Sequence, residues 1–507
     1  DRGSPCLIMG DYNETLIPAE RGSHLISSQG ARDFQNFINN MGLIEISPIK
    51  GFFTWFRGQS KSKLDRLFVQ PEWLTSFPSL KLNILKRSPS DHCPLLAFSS
   101  HQNWGPKPFR FLNCWLTHPQ CMKIISEIWT KNHNSSVPDK LRTLKEALKQ
   151  WNQKEFGIID DNIKHCEEKI HFLDNIANSR LLCTNELQER DDAQLNLWTW
   201  LKRSESYWAL NSRARWIKEG DSNTRYFHTL ATIRRHKNHL QYIKTEGKNI
   251  SKPGEIKEEA VAYFQHIFAE EFSTRPVFNG LNFNKLSESE CSSLIAPFTH
   301  EEIDEAVDSC DAQKAPGPDG FNFKFIKSSW EVIKKDIYKI VEDFWASGSL
   351  PHGCNSAFIA LIPKTQHPRG FNEFRPISMV GCLYKIIAKI LARRLQRVMD
   401  HLIGPYQSSF IKGRQILDGV LIASELIDSC RRMKNEAVVL KLDFHKAFDS
   451  ISWNYLEWVL CQMNFPLVWR SWIRSCVMSA SAAVLINGSP SSVFKLQRGL
   501  RQGDPLS

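Results

Sequence analysis

Residues 438–453 read VVLKLDFHKAFDSISW, and what this stretch forms decides the fold of the C-terminal half of the chain. Val438, Val439, Leu440 and Leu442 make an apolar, β-branched run, the composition of a strand buried on both faces. The first acid after the run is Asp443; Phe444, Lys446, Ala447, Phe448 and Asp449 follow before a helix start near Ser452. The pattern therefore predicts a buried strand that ends on a carboxylate. Strand-end Asp residues also serve as ordinary turn formers, so the other motifs along the chain decide whether this one does chemistry.

Working outward, a capping box at Thr299 and Glu302 opens the helix HEEIDEAVDSC. The turn-rich KAPGPDGF comes next, then a helix through SSWEVIKKDIYKIVEDFW and a strand SAFIALIPK ending at Lys364. A loop closing on FRPIS, with Arg375, leads to the helices CLYKIIAKILARRLQRVM and GVLIASELIDSC. Beyond Asp443 lie two amphipathic helices, a hairpin across VLINGSPSSVFKL and the terminal QRGLRQGDPLS. Helices and strands are interspersed without strict alternation, so the class is α+β.

The rest of the chain has two other textures. Residues 1–100 show short apolar runs cut by Gly, Ser and Pro (CLIMG, FFTWF, LDRLFV, CPLLAF), with one helix at 31–40. From about 110 to 245 apolar residues recur at helical spacing, as in Leu141, Leu144, Leu148 and Trp151, then Ile163, Cys166, Ile170 and Leu173; long helices and a helical hairpin are expected. Residues 246–298 make a mixed connection.

At 507 residues the chain is too long for one core. Its net charge is +11, and residues 201–250 hold eleven Lys or Arg against four acids. Trp208, Trp216, Tyr226 and Phe227 are interleaved with those cations, a pairing that suits bases and phosphates as well as a solvated helix face. The thirteen Cys are scattered without a C-x-x-C pair, the usage of reduced, intracellular thiols. No run is long enough to span a bilayer, so no membrane partner is expected.

In this order, IPK, FRPIS, KLDFHKAFDS and RQGDPLS resemble the reverse transcriptase of LINE-type non-LTR retrotransposons, particularly plant ones, across residues 299–507. That resemblance implies right-hand polymerase fingers and palm, with Asp443 a catalytic Mg2+ ligand beside the Phe444 carbonyl. Copying RNA onto a primer 3′-hydroxyl uses two such ions, and magnesium prefers hard carboxylate oxygens. Phe448 is implied as the steric gate against a ribose 2′-hydroxyl, Lys364 and Arg375 as holders of the dNTP triphosphate. Gln502 and Gly503 correspond to the motif at the nucleotide and template wall, and Arg414 to a template-side position. Asp449 is read as structural, capping the following helix. The side chains of Asp443, Phe448, Lys364 and Arg375 are expected to face one cleft, with Gln502 near its wall. The family's Asp-Asp hairpin does not occur after Asp443, so the chain reads as a fragment, truncated after RQGDPLS, with an incomplete two-metal centre.

A second resemblance rests on GDYN at 10–13, SKLDRLF at 62–68 and SDH at 90–92. These are similar to the apurinic-endonuclease-like nickase that precedes the polymerase in the same elements, a relative of the endonuclease/exonuclease/phosphatase sandwich. Asp11, Asn13, Asp91 and His92 match its catalytic positions and Asp65 a further acid, a set suited to orienting a water or metal and to contacting a phosphate. Only part of that sandwich falls within residues 1–100, and an exposed apolar sheet with poor stability is expected. The stretch SRARWIKEGDSNTRYFH, within the basic helical region 101–298, also recurs in the plant elements.

The resemblances imply an RNA template, a DNA primer or target and dNTPs as partners, action by target-primed reverse transcription, and nuclear action through the family's life cycle. Three alternatives remain at this point: a catalytically silent nucleic-acid-binding remnant, a group II intron maturase-like enzyme, which would not carry GDYN and SDH, and a stand-alone phosphodiesterase, which would lack residues beyond 300.

Overall fold

The computed structural model describes residues 5–21, 29–49, 51–100, 102–156, 159–212, 224–245, 248–271, 280–365, 368–444 and 446–507. Residues 213–223, with Trp216 and most of the SRARWIKEGDSNTRYFH motif, lie outside them.

In the N-terminal region the strands Leu7–Asp11, Asp65–Val69 and Ile44–Glu45 form an antiparallel sheet with Asp65–Val69 at its centre. Alternation along the central strand sends Leu67 and Val69 to one face and Phe68 to the other, and all three are fully buried. Leu67 and Val69 pack with Leu80 and Leu82 from the Leu80–Ile84 strand, which pairs with Leu95–Ser99. Phe68 packs with Ile38 and Phe34 of the helix Gln29–Asn40. Both faces of the central strand are thus covered, against the expectation of a bare sheet. Ile233, from the helix Thr224–Asn238, adds to the first cluster.

Beside this sheet three buried charges, Glu20, Lys63 and Arg66, meet the half-buried Glu45. Arg66 reaches Glu20 and Glu45, and Lys63 reaches the same two acids at 3.5 and 2.6 Å. Burial works to raise the Glu20 pKa, but the hydrogen bond and charge of Arg66 and the charge of Lys63 outweigh it, and the net displacement is downward. Glu20 also accepts from the Leu16 N–H at 2.7 Å, so the ion cluster fixes the loop that follows Asn13.

The helices Ile159–Ala177 and Thr184–Ser212 pack along each other as the expected helical hairpin. Upstream, Pro119–Lys131 and Val137–Trp151 place Ile125, Trp129, Leu141, Leu144 and Leu148 in one apolar cluster with Phe325, Ile337, Tyr384 and Trp469. The helical segment 119–151 and residues beyond 298 therefore share a core.

In the C-terminal region the capping box at Thr299 and Glu302 opens His300–Asp308, and Trp330–Ser347 ends at Gly348 in the left-handed conformation. The strand Ser356–Pro363 lies at the centre of a mixed sheet, antiparallel to Phe374–Val380 and parallel to Ser481–Ile486. The Asn487-Gly488 turn, both residues at positive φ, closes a tight hairpin to Ser489–Pro490. KAPGPDGF acquires a physical role: a carboxylate oxygen of half-buried Asp319 accepts from the Cys382 N–H at 2.6 Å and caps the helix Cys382–Leu402. A Cβ on Gly317 would stand 2.4 Å from the Val380 backbone, which explains that glycine.

One expectation fails. Residues 435–444 form neither helix nor strand, and Val438, Val439, Leu440 and Leu442 are 69–96% exposed. The preceding helix, Ile416–Met433, buries none of its residues. The apolar run identifies a segment able to join a sheet, but a strand needs a neighbour for its N–H and C=O groups. Both sides of Ser356–Pro363 are already taken, and no described strand pairs with the run.

Candidate functional site

Two groups of the singled-out residues come together. In the first, the antiparallel register places Asp11 directly opposite Asp65 at the end of their ladder. His92 Nδ1 lies 2.9 Å from Asp65 Oδ2, and His92 Nε2 lies 4.0 Å from Asp11 Oδ2. One ligand atom each from Asp11, Asp65 and His92 falls within 4.8 Å of the others, an arrangement that could hold a cation. Asn13 adopts a left-handed backbone (φ 52°), and its N–H donates to Asp11 Oδ1 at 2.9 Å. The Asn13 backbone N–H is therefore held against the acid by the G-D-x-N turn itself.

Supports for this group come from the strand ends. Thr54 Oγ1 accepts from the N–H groups of Leu64 and Asp65, fixing the approach to Asp65. The Trp55 indole donates to Asp91 Oδ2 at 2.9 Å and holds its carboxyl below the usual range. The Asp65 hydrogen bond raises the His92 pKa, with the charges of Asp65, Asp11 and Asp91 adding to it. The arrangement thus offers an imidazole biased toward its cationic form, which suits an anionic phosphate.

The second group gathers on the outer face of the Ser356–Pro363/Phe374–Val380 hairpin. Ile362 pairs with Arg375, so period-two alternation puts Arg375, Ile362 and Lys364 on one face. Lys364 and Arg375 are both exposed there. Gln502 C=O accepts from the Ser378 N–H at 2.8 Å, which lays the RQGDP segment over the hairpin. The same segment is tied to the short helix Ala447–Ser450 and its exit: Phe448 C=O accepts from the Leu500 N–H and Ile451 C=O from the Gly499 N–H, each at 2.7 Å. Gly499 sits at φ 80°, and a Cβ there would meet the Asp449 carbonyl at 2.4 Å. Gly503, also at positive φ, passes 3.1 Å from the Ser378 carbonyl by the same measure.

RQGDP anchors itself from below. Arg501 and Asp504 form a buried ion pair at 2.7 Å, Arg501 stacks over Tyr384, and the Tyr384 hydroxyl donates to Asp504. The flanking residues of the motif are thus scaffold, and Gln502 and Gly503 are what it presents.

Asp449 is a correction. It does not cap the next helix; it is 5% exposed, and Gln502 Nε2 donates to its Oδ1 at 3.4 Å. Burial raises its pKa, against the charge of Lys446, the Gln502 hydrogen bond and the charge of Lys364. No sequence signal pointed to this role, because its hydrogen-bond partner Gln502 lies 53 residues away. Phe448 is 39% exposed, with its ring edge-on to Phe410.

Two residues stand apart. Asp443 is exposed in the irregular 435–444 segment, and among the described residues no hydrogen bond or ion pair joins it to Lys364, Arg375 or Gln502. Arg414 directs its guanidinium at Asp400 and at the carbonyls of Ile403, Gly404 and Gln407, closing the end of the Cys382–Leu402 helix. In this structure its N–H groups serve the chain and leave none for a template.

Comparison with known proteins falls on the same region. Residues 362–507 match the family model described as reverse transcriptase (RNA-dependent DNA polymerase). The whole chain aligns, at 25% identity, with 40% of a Xenopus laevis protein named transposon TX1 uncharacterized 149 kDa protein. A Drosophila melanogaster Pol polyprotein from the type-2 retrotransposable element R2DM is 28% identical over 44% of this chain and 21% of its own length. A Bradysia coprophila Pol polyprotein from element R1 is 27% identical over 30% of the chain and 15% of its own length. The chain therefore spans less than half the length of these relatives.

Proposed function

The chain carries a reverse transcriptase domain and belongs with the polyproteins of LINE-type non-LTR retrotransposons, and from that premise we propose that it is part of an enzyme that nicks DNA and copies RNA from the exposed 3′ end. In this reading residues 299–507 are fingers and palm, residues 1–100 part of an endonuclease/exonuclease/phosphatase-type sandwich, and residues 101–298 a largely helical connection. The observation that carries it is the stitching of RQGDP to FRPIS and AFDS by backbone hydrogen bonds, along the edge of the strand that bears Arg375. Motifs far apart in sequence are thereby joined, which supports a shared site for a triphosphate and a template base.

Lys364 and Arg375 would hold the phosphates of a dNTP, Arg375 by forked hydrogen bonds and Lys364 as a point charge. Gln502, steadied by Asp449, would line the template side, and the Phe448 ring would exclude a 2′-hydroxyl. Reverse transcriptase domains generally use divalent ions, and Asp443 offers a hard, exposed carboxylate of the fitting type. A bound magnesium would supply activation of the primer hydroxyl and neutralisation of triphosphate charge. In the N-terminal region Asp11, Asp65 and His92 would take a divalent ion or water together, with Asn13 and His92 directed to the phosphate.

A second reading, a nucleic-acid-binding chain without synthesis of its own, is favoured by the position of Asp443 outside any sheet. Primer extension with magnesium, a primed RNA template and dNTPs separates the two. We expect template binding without extension from these 507 residues, and extension from a longer chain of the same element, abolished there by Asp443→Ala. Extension that survives that substitution sinks the metal-ligand role.

A further inference from the structure

The helix Pro253–Phe268 lies outside the residues that match the reverse transcriptase family model, yet it reaches the start of FRPIS, of AFDS and of RQGDP. Ile256, Ala260, Phe264 and Ile267 recur at helical spacing and bury one face of the helix against the mixed sheet, in a cluster with Ile359, Phe374 and Val484. At its C-terminal end the Phe268 carbonyl accepts from the Gln497 and Arg498 N–H groups, and the Ile267 carbonyl from Arg498 Nε at 2.9 Å. Carbonyls left over at the last turn thus fasten the helix to the chain that runs into RQGDP.

Tyr263 is the half-buried polar residue that this anchoring brings to the site. Its ring centre lies 5.5 Å from that of Phe371, the neighbour of Asn372, whose carbonyl accepts from Lys364 Nζ at 3.0 Å. Its hydroxyl accepts from Lys446 Nζ at 3.3 Å, and the same ammonium lies 5.2 Å from its ring centre. One side chain therefore touches both the turn that supports Lys364 and the residue that opens the AFDS helix.

The Lys446 ammonium has a competing partner. Lys446 precedes Asp449 by three residues, and each group feels the charge of the other. Among the described residues no ion pair joins them; the ammonium is held by the hydroxyl and ring of Tyr263 instead. Asp449 Oδ1 is left to accept from Gln502 Nε2 at 3.4 Å. A freed ammonium would displace that long hydrogen bond, because an ion pair in a half-buried setting outweighs a bond from a neutral amide.

We infer that Tyr263 is a positioning residue of the nucleotide site: it diverts Lys446 from Asp449 and so keeps the Gln502 side chain in place. The inference rests on reading Lys364, Arg375 and Gln502 as that site. Fluorescence anisotropy of mant-dTTP is measured with the 507-residue chain bound to an RNA template and a dideoxy-terminated primer, with magnesium and with adenine as the next template base. Tyr263→Phe keeps the ring beside Phe371 and removes only the hydroxyl; it should weaken nucleotide binding about fivefold and change primed-template affinity by less than about twofold. Tyr263→Leu, which also removes the ring face, should weaken nucleotide binding about tenfold or more. In a Lys446→Met background there is no ammonium to divert, so Tyr263→Phe should change nucleotide affinity by less than about twofold, a cancellation that lost packing would not give.

An equal loss in the Lys446→Met background overturns the inference, as does a Tyr263→Phe protein with the parental nucleotide affinity. Both outcomes leave the nucleotide site itself standing. A parental chain that binds primed template but no nucleotide sinks the reading of the site, and the role of Tyr263 with it.

Discussion

CLIMGD, ending at Asp11, and VVLKLD, ending at Asp443, look alike on paper: each is a short apolar run closed by an acid. In the fold they diverge. Asp11 ends a strand paired along its whole length with Asp65–Val69, and its carboxyl meets Asp65 and His92. Asp443 ends a run that is exposed and unpaired among the described residues. The difference lies in the partner and not in the strand itself. Where a complementary strand lies within 60 residues, ladder and site form together; the 438–442 run has the composition of a strand with none of its pairing. The apolar residues of Ile416–Met433 are exposed in the same way, so both segments present apolar surface to solvent.

The contrast is broken most forcefully from the paired side. Replacing Arg66 by Ala strips Glu20 and Glu45 of their main partner while both stay in place. Breaking one side of a buried ion cluster costs about 3–5 kcal/mol, and denaturant unfolding should show a loss of that size for the N-terminal region. Because the folded Glu20 pKa lies below its unfolded value, its contribution is present above about pH 4.5 and is lost as pH falls through the folded value. A loss under 1 kcal/mol would mean that the cluster does not hold the loop behind Asn13.

A smaller effect is expected where RQGDP meets AFDS. Gly499→Ala forces a side chain at φ 80° and into the Asp449 carbonyl, a change expected to cost about 1–3 kcal/mol. It should also lower affinity for a primed template, because Gln502 would be displaced from Asp449 and Ser378. A variant of full stability and affinity would show that the two motifs are not held together.

How much of this was legible follows the same line. The capping box at Thr299 and the Asn487-Gly488 hairpin could be read because each rests on local chemistry, and the Asn13 turn beside Asp11 and the short SDH segment are local motifs of the same kind. Lys364 and Arg375 on one face follow from a hairpin register. What could not be read depended on distant partners: that 438–442 would find no strand and that Asp449 would be buried against Gln502. Asp319 as the remote cap of Cys382–Leu402 belongs with these, since KAPGPDGF alone reads only as a loop.

The connecting region gives a milder, pH-dependent test. Burial holds His236 down to about 4, and burial together with the charges of His236, Lys81 and Arg235 does the same to His239. Their folded pKa lies below the unfolded value near 6.5, so the unfolded chain binds more protons between about pH 4 and 6.5 and stability rises with pH across that window. Unfolding midpoints measured from pH 4.5 to 7 should climb and then level. Removing both groups by His236→Phe and His239→Phe should flatten the climb. A slope unchanged in the double variant would place the histidines in water and the Thr224–Asn238 helix off the N-terminal sheet.

The smallest effect is expected at Asp443, and it probes the comparison at its centre. An exposed acid on an unpaired segment should tolerate Asn with a stability change within about 0.5 kcal/mol, the range of ordinary surface substitutions. The amides of 438–443 should exchange with solvent at nearly unprotected rates, while those of Asp65–Val69 remain protected, since exchange follows local opening. If Asp443→Asn instead shifted stability by 2 kcal/mol or so, or if 438–443 resisted exchange, the run would already be seated in a sheet, and the likeness between CLIMGD and VVLKLD would extend from composition to structure.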